Sequence, residues 1–334
     1  MKTTIKKIIE KAINSGKITP DEIRELFLVP EISEESYAIQ FAARKMSEDV
    51  MQGKAEVHAQ VGINIGPCPK NCLFCSFAVV NRIFPQTLVL PVDQVIEKCL
   101  GFEESGANAI YLMSTASLGL EEYLRTGCAV REVLRPETVL VANVGDFDDN
   151  GAKAIRDVGF QGVYHAVRLG EGISTGVDVR KRLRTVKAAK KAGLLVGTCV
   201  EPVGPEHSVE ELVEKTLLAR EMDPVFSGAA RRITIPGTRL AAQGMVNESR
   251  MALILAVVRL ATGFNVLGNC THEPNGIGAM AGANLFWAEQ GANPRDTEKE
   301  TEASRGFSVA KCREIFREAG WDVLDGPSRM YSRA

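Results

Sequence analysis

The chain has 334 residues, of which 45% are hydrophobic, 25% charged and 6% aromatic, with a formal net charge of −2. That composition is globular and excludes a small disulfide scaffold, and 40 Lys+Arg against 42 Asp+Glu leave no global field to hold nucleic acid or an anionic membrane. The length suits one large α/β barrel or two modest domains.

In chain order, Met1–Ile13 shows helical periodicity with Glu10 inside it, unlike the apolar core of a signal peptide. No apolar run reaches the ~18 residues of a membrane span, so a cytoplasmic location is expected. Helices are predicted over Thr4–Ser15, Asp21–Leu28 and Ser33–Gln52, the second opened by Thr19-Pro20-Asp21. From Val57 onward, eight short apolar runs alternate with amphipathic stretches: Val57–Ile65, Ala109–Met113, Val139–Val144, Gly162–Ala166, Leu194–Val200, Arg232–Ile235, Asn265–Leu267 and Ala283–Trp287. This βα alternation predicts the α/β class, as a (β/α)8 TIM-type barrel with an N-terminal helical prefix. The rival open sheet needs a phosphate-binding glycine fingerprint after its first strand, and Ile65-Gly66-Pro67-Cys68 is not one. The expected boundaries are a prefix at 1–53, a barrel at 54–326 and a tail at 327–334, frayed or lying across one barrel face.

Of the eight cysteines, Cys68, Cys72 and Cys75 are crowded into one loop directly after the first strand. That puts three thiolates at the C-terminal mouth of the barrel, the face where such folds hold their active sites. Three cysteines at this spacing suit three corners of a cubane iron–sulfur cluster and leave the fourth iron open. A structural zinc site needs a fourth ligand, such as His58, and usually shows paired Cys-x2-Cys knuckles, which are absent. Cys99, Cys128 and Cys312 lie on helical patterns and read as structural.

Cys-x3-Cys-x-aromatic-Cys after strand one, with Phe74 as the aromatic, resembles the signature of the radical S-adenosylmethionine (SAM) superfamily. The resemblance implies a [4Fe-4S] cluster on Cys68, Cys72 and Cys75, with SAM on the open iron, cleaved to a 5′-deoxyadenosyl radical that abstracts hydrogen. Phe74 then flanks the adenine, unless it is simply a core aromatic. The likeness runs over Val57–Leu324 and is closest to the biotin synthase-like group. Met280-Ala281-Gly282-Ala283-Asn284-Leu285-Phe286 resembles that group's strand-eight motif. Arg182 matches the arginine turned toward SAM's carboxylate, a role suited to a guanidinium that forks onto two oxygens. The competing reading sets Arg182 on the solvated face of a basic helix with Arg180, Lys181, Arg184, Lys187, Lys190 and Lys191. His165, Arg168 and Glu171 fall where the group contacts SAM's ribose, although their pattern departs from the usual one.

Other departures bear on the reaction. Biotin synthase holds a sacrificial second cluster on cysteines ending strands two, three and five. Here strands two and three end without cysteine, and only Cys199 remains near strand five, so a conventional biotin synthase is not expected. Strand seven instead leads into Cys270 and His272, which share a face if the segment stays extended. Two enzyme readings follow. In one, Cys199, Cys270 and His272 ligate an auxiliary iron–sulfur cluster, and the chemistry is sulfur insertion into unactivated C–H bonds of lipoyl or biotin type, a sulfurtransferase reaction. Arg329-Met330-Tyr331-Ser332 has a faint likeness to the serine-bearing tail of lipoyl synthase. In the other, Cys199 is a buried hydrophobe, one cluster serves, and the barrel runs a carbon-skeleton rearrangement as methylornithine synthase does. Asn143, Asp146, Glu201, Arg231 or Arg232, Glu273 and Glu289 then grip a substrate carboxylate or amine. A simple electron carrier needs no such mouth. The family implies a reduced flavodoxin or ferredoxin as electron donor, and because such donors are acidic as a class the basic helix Arg180–Lys191 is the expected docking face. Lipoyl-type chemistry adds a second radical SAM subunit and an acylated carrier protein.

Overall fold

The computed structural model describes residues 1–297 and 306–332. Eight parallel strands close into a barrel: β1 Lys54–Gly62, β2 Ala109–Met113, β3 Val139–Asn143, β4 Gly162–Tyr164, β5 Leu195–Gly197, β6 Phe226–Arg231, β7 Gly268–Cys270 and β8 Leu285–Gly291. Neighbours in sequence are neighbours in space throughout, and β8 returns to β1 with Glu56 opposite Leu285 and Gly62 opposite Gly291. A short stretch, Val200–Val203, continues β5 beside β6. Three helices precede the barrel, α1 Thr3–Ile13, α2 Pro20–Phe27 and α3 Glu34–Met51. The second starts on the expected signal: the Thr19 hydroxyl accepts from the backbone of Glu22, whose carboxylate accepts from that of Thr19. The helices between and after the strands are α4 Val92–Glu104, α5 Leu120–Val133, α6 Asp149–Val158, α7 Val179–Lys191, α8 Val209–Glu221, α9 Glu248–Thr262, α10 Gly276–Met280 and α11 Val309–Glu318.

Strand alternation divides the core in two. On β1, Ala55, Val57, Ala59 and Val61 pack outward against the helices, while Glu56, His58 and Gln60 point into the barrel. The inner core contains Tyr111, Tyr164, Cys199, Phe226, Cys270 and Trp287. Below it, the tail crosses the N-terminal end of the barrel. The Ser328 hydroxyl and the Arg329 backbone N–H donate to the two oxygens of Glu56 at 2.5 and 2.8 Å, and the Tyr331 hydroxyl meets that of Tyr111 at 2.9 Å. Gly162 and Gly268 make room: a Cβ would lie 2.4 Å from the Tyr331 ring in the first and 2.6 Å from the Met330 sulfur in the second.

Two strands fall elsewhere than expected. The β-branched run Arg232–Ile235 is a mouth loop, and strand six is the preceding Phe226–Arg231, poor in branched residues. Strand seven is Gly268–Cys270, not Asn265–Leu267. The reason is the same in both: β6 and β7 press backbone to backbone, a Cβ on Gly228 lying 2.2 Å from the Cys270 carbonyl oxygen, so small residues replace the ones that mark a strand. His58 is fully buried between Glu56 (2.8 Å) and Tyr111 (3.1 Å), inside the barrel, and is not a fourth ligand for the cysteine loop. Ser332 sits at the opposite end from the mouth, bonded to the Ser328 carbonyl, which removes the likeness to a catalytic serine tail.

Candidate active site

The loop Cys68–Cys75 leaves β1 and folds back over the mouth. The Cys68 backbone N–H donates to the Phe77 carbonyl at 2.6 Å, and the Asn81 side-chain amide donates to the carbonyl of Cys75 at 2.8 Å. Those bonds turn the loop's carbonyls away and leave Cys68, Cys72 and Cys75 on the cavity wall with Phe74. The segment before α7 holds the loop from the other side, Leu73 N–H donating to Ser174 and Gly176 N–H to Lys70. The three thiols do not all lie within 4.8 Å of one another. Thiolates around one tetrahedral ion are closer than that, at about 3.8 Å for 2.3 Å bonds, so the three thiols are not gathered as ligands of one ion. Burial pushes the Cys75 thiol up to about 12, so ligation there requires a metal to displace its proton.

Beside the loop lies a charged network. Arg182 faces inward from α7, while Arg180, Lys181, Arg184, Lys187, Lys190 and Lys191 face out, so the fully solvated reading of Arg182 is corrected. Its Nη1 is 3.4 Å from Nδ1 of His165 and 3.5 Å from Asp146, and Nε2 of His165 is 3.0 Å from the same carboxylate. Burial is the main cause that drops His165 to about 4, with Arg182 adding to it and Asp146 opposing. A neutral imidazole is therefore held between them. Glu171 accepts from the Arg168 backbone at 2.7 Å and anchors the turn before α7.

Four of the expected contact residues, Asp146, Glu171, Glu273 and Glu289, do not line the cavity. Asp146 and Glu171 stand behind Arg182, and Glu273 stands behind Arg231 at 2.5 Å. Glu289 lies within β8, paired to Arg295. Phe74, Asn143, His165, Arg168, Arg182, Arg232 and His272 do line it.

At the cavity floor the ends of β5 and β7 bring three donors together. The Cys270 thiol lies 3.6 Å from that of Cys199, and these two sulfurs and one ring nitrogen of His272 are all within 4.8 Å of one another. His272 reaches the cavity wall, and both thiols are buried behind it. The ring is fixed by Glu201 at 3.3 Å and by stacking on Trp287, centroids 5.3 Å apart. Glu201 also pairs with Arg168 at 3.3 Å. Burial raises Glu201, but Arg168 and then His272 outweigh it and hold the carboxyl at about 2. Burial and the Cys270 contact push the Cys199 thiol well up. Tyr164, 3.5 Å from His272, escaped the sequence reading because a tyrosine inside a strand carries no signal apart from core packing.

A parallel βα barrel with such a cysteine loop over its mouth is the architecture of the radical SAM superfamily. Among known proteins, the biotin synthase of Carboxydothermus hydrogenoformans is 24% identical over 262 residues, covering 75% of this chain and 79% of that one. The biotin synthase of Geotalea daltonii is 26% identical over 231 residues, covering 67% and 69%. No protein-family model matches the chain. In fold, the FeFe-hydrogenase maturase HydG from Carboxydothermus hydrogenoformans superposes with a TM-score of 0.80 at 16% identity, covering 98% of this chain and 81% of that one. Methylornithine synthase (PylB) gives 0.78 at 16% identity, covering 97% and 98%. In sequence and fold the chain is similar to radical SAM, biotin synthase-like proteins. Among the described residues, no helix is long and apolar enough to cross a membrane.

Proposed function

We propose that this barrel is a sulfurtransferase that inserts sulfur into unactivated C–H bonds, with an auxiliary iron–sulfur centre as the sulfur source. The observation that carries the reading is the convergence of Cys199, Cys270 and His272 at the floor of the cavity that Cys68, Cys72 and Cys75 overhang. When bound, a [4Fe-4S] cluster on Cys68, Cys72 and Cys75 supplies reductive cleavage of SAM and with it a hydrogen-abstracting radical. The chain's own part is to bind, orient and exclude water. Arg182, inward and poised by Asp146 and His165, offers a charged donor to SAM's carboxylate. Phe74 on the cysteine loop offers a flat apolar surface to its adenine. His165, Arg168 and Asn143 supply polar contacts on the same wall. Cys199, Cys270 and His272 hold the auxiliary centre, and Glu201 keeps the His272 ring turned toward it.

A reduced flavodoxin or ferredoxin, acidic as a class, supplies the electron and docks on the exposed lysines and arginines of α7. A second radical SAM subunit and an acylated carrier protein are partners if the acceptor is a lipoyl precursor. The test is a single turnover under dithionite after anaerobic reconstitution with 34S-sulfide. The proposal expects 34S in the product and loss of sulfide from the centre in step with 5′-deoxyadenosine formation. An unchanged sulfide content with a rearranged carbon skeleton would make this a mutase of the methylornithine synthase kind.

A further inference from the structure

Ile173 is the most exposed large hydrophobic side chain among the described residues, at 88%. It stands in the turn Gly172-Ile173-Ser174 ahead of α7, and that turn is fastened to the cysteine loop by the Leu73 N–H, which donates to the Ser174 carbonyl at 2.9 Å. A lone exposed apolar side chain carries little meaning, but several over one spot do. Val79, 47% exposed, is fastened to the same loop through its N–H to the Cys68 carbonyl at 3.2 Å. Residues 236–243 join them: the Leu240 N–H donates to the Leu73 carbonyl at 3.3 Å, and the Arg239 N–H to the Asn81 side-chain oxygen at 3.1 Å. Two exposed apolar side chains thus flank, on the solvent side, the loop whose three thiols line the cavity.

The charge around them has one sign. Arg82, Arg239 and, at the start of α7, Arg180, Lys181 and Arg184 are all exposed. Within residues 69–82, 172–184 and 236–243 the only acid is Asp178, and its carboxylate accepts from the Arg180 backbone at 2.9 Å to cap α7. An apolar centre inside a basic rim, directly outside the ligands of a redox group, has the anatomy of a small transient interface. Apolar contact at the centre fixes the orientation, and charge on the rim speeds the encounter with a partner of opposite sign.

We propose that Ile173 and Val79 are the contact centre for an acidic electron-transfer protein whose redox group lies at an exposed apolar edge, with Arg82, Arg184 and Arg239 as its rim. One electron leaves the partner's reduced flavin or iron–sulfur group and enters the cluster behind the loop, with no bond broken and no proton consumed. This rests on the reading of Cys68, Cys72 and Cys75 as cluster ligands. It also divides the partner's contacts by role: Lys187 and Lys190, further along α7, steer the approach, and Ile173 holds the docked complex.

The test uses the anaerobic holoenzyme with flavodoxin and ferredoxin as probes, each titrated calorimetrically in its oxidised form and mixed in its reduced form by stopped flow. Ile173→Asp should weaken binding of the carrier that reduces the wild type, and slow that reduction, at least tenfold. Ile173→Ala should do so several-fold, and both should leave reduction by dithionite unchanged. Ile32→Asp, at an isoleucine 67% exposed on the prefix, should change neither quantity. Arg82→Glu with Arg184→Glu should slow carrier-driven reduction several-fold, more at low salt. Unchanged binding and rate in Ile173→Asp, an equal loss with dithionite, an equal loss in Ile32→Asp, or a wild type that neither carrier binds or reduces overturns the inference. If Ile173→Asp does not fold, Ile173→Ala decides. A reconstituted protein without iron on the cysteine loop defeats the cluster reading alone, and carrier binding by the same protein and its Ile173 variants still decides this one.

Discussion

Asp146 Oδ1 lies 3.0 Å from Nε2 of His165 in a site where both side chains are almost wholly covered. Burial is the chief reason the imidazole titrates near 4 instead of 6.5, and Asp146 only partly restores it. Between those values the unfolded chain takes up a proton that the folded chain refuses. The stability tied to His165 is therefore complete above about 6.5 and is lost as pH falls to about 4. The melting temperature should drop across that window, and His165→Asn should flatten the drop. An unaltered profile in the variant would contradict the assignment.

Arg182 shares that network, and its place inside the wall gives it a measurable role. Arg182→Gln should weaken SAM binding to the reconstituted protein by about ten- to a hundredfold, the worth of a charge-assisted hydrogen bond. Arg182→Lys should recover only part, because a point charge does not reproduce the fork. Equilibrium dialysis with labelled SAM measures both.

The outer face of α7 carries Lys187 and Lys190, both exposed. Lys187→Glu with Lys190→Glu should slow reduction by flavodoxin or ferredoxin several-fold, more at low salt, and leave dithionite-driven turnover unchanged. Stopped-flow reduction across a salt series separates the two, and equal losses with both reductants would refute the docking face.

Ser328 closes the far end of the barrel on Glu56 at 2.5 Å. Ser328→Ala leaves a buried carboxylate oxygen with one partner fewer and should cost about 1–3 kcal/mol. Urea denaturation should show that loss while SAM cleavage persists, since the plug lies away from the mouth.

How far the sequence foretold this arrangement depends on what each residue had to signal. The cysteine spacing, the βα alternation and the capped prefix helices are local patterns, and they were legible. Cys270 and His272 could be paired by alternation along one strand, and the structure brings Cys199 to them from β5. The ends of β6 and β7 were misread because close backbone contact at Gly228 selects small residues there. The direction of Arg182 was open, since a helix of seven cations does not declare which one turns inward. The separation of Asp146, Glu171 and Glu273 from the cavity, with arginines set in front of them, is a tertiary fact with no sequence pattern.

The central claim is that two iron–sulfur centres share one barrel, and it is tested most directly by iron, sulfide and Mössbauer analysis after anaerobic reconstitution. The comparison is between wild type and a Cys68/Cys72/Cys75→Ala variant. The account predicts that the variant loses roughly four irons and retains roughly two to four, with the remainder lost on adding Cys199→Ala and Cys270→Ala. A variant with no iron, beside a wild type with only about four, would contradict it and leave one cluster in the barrel.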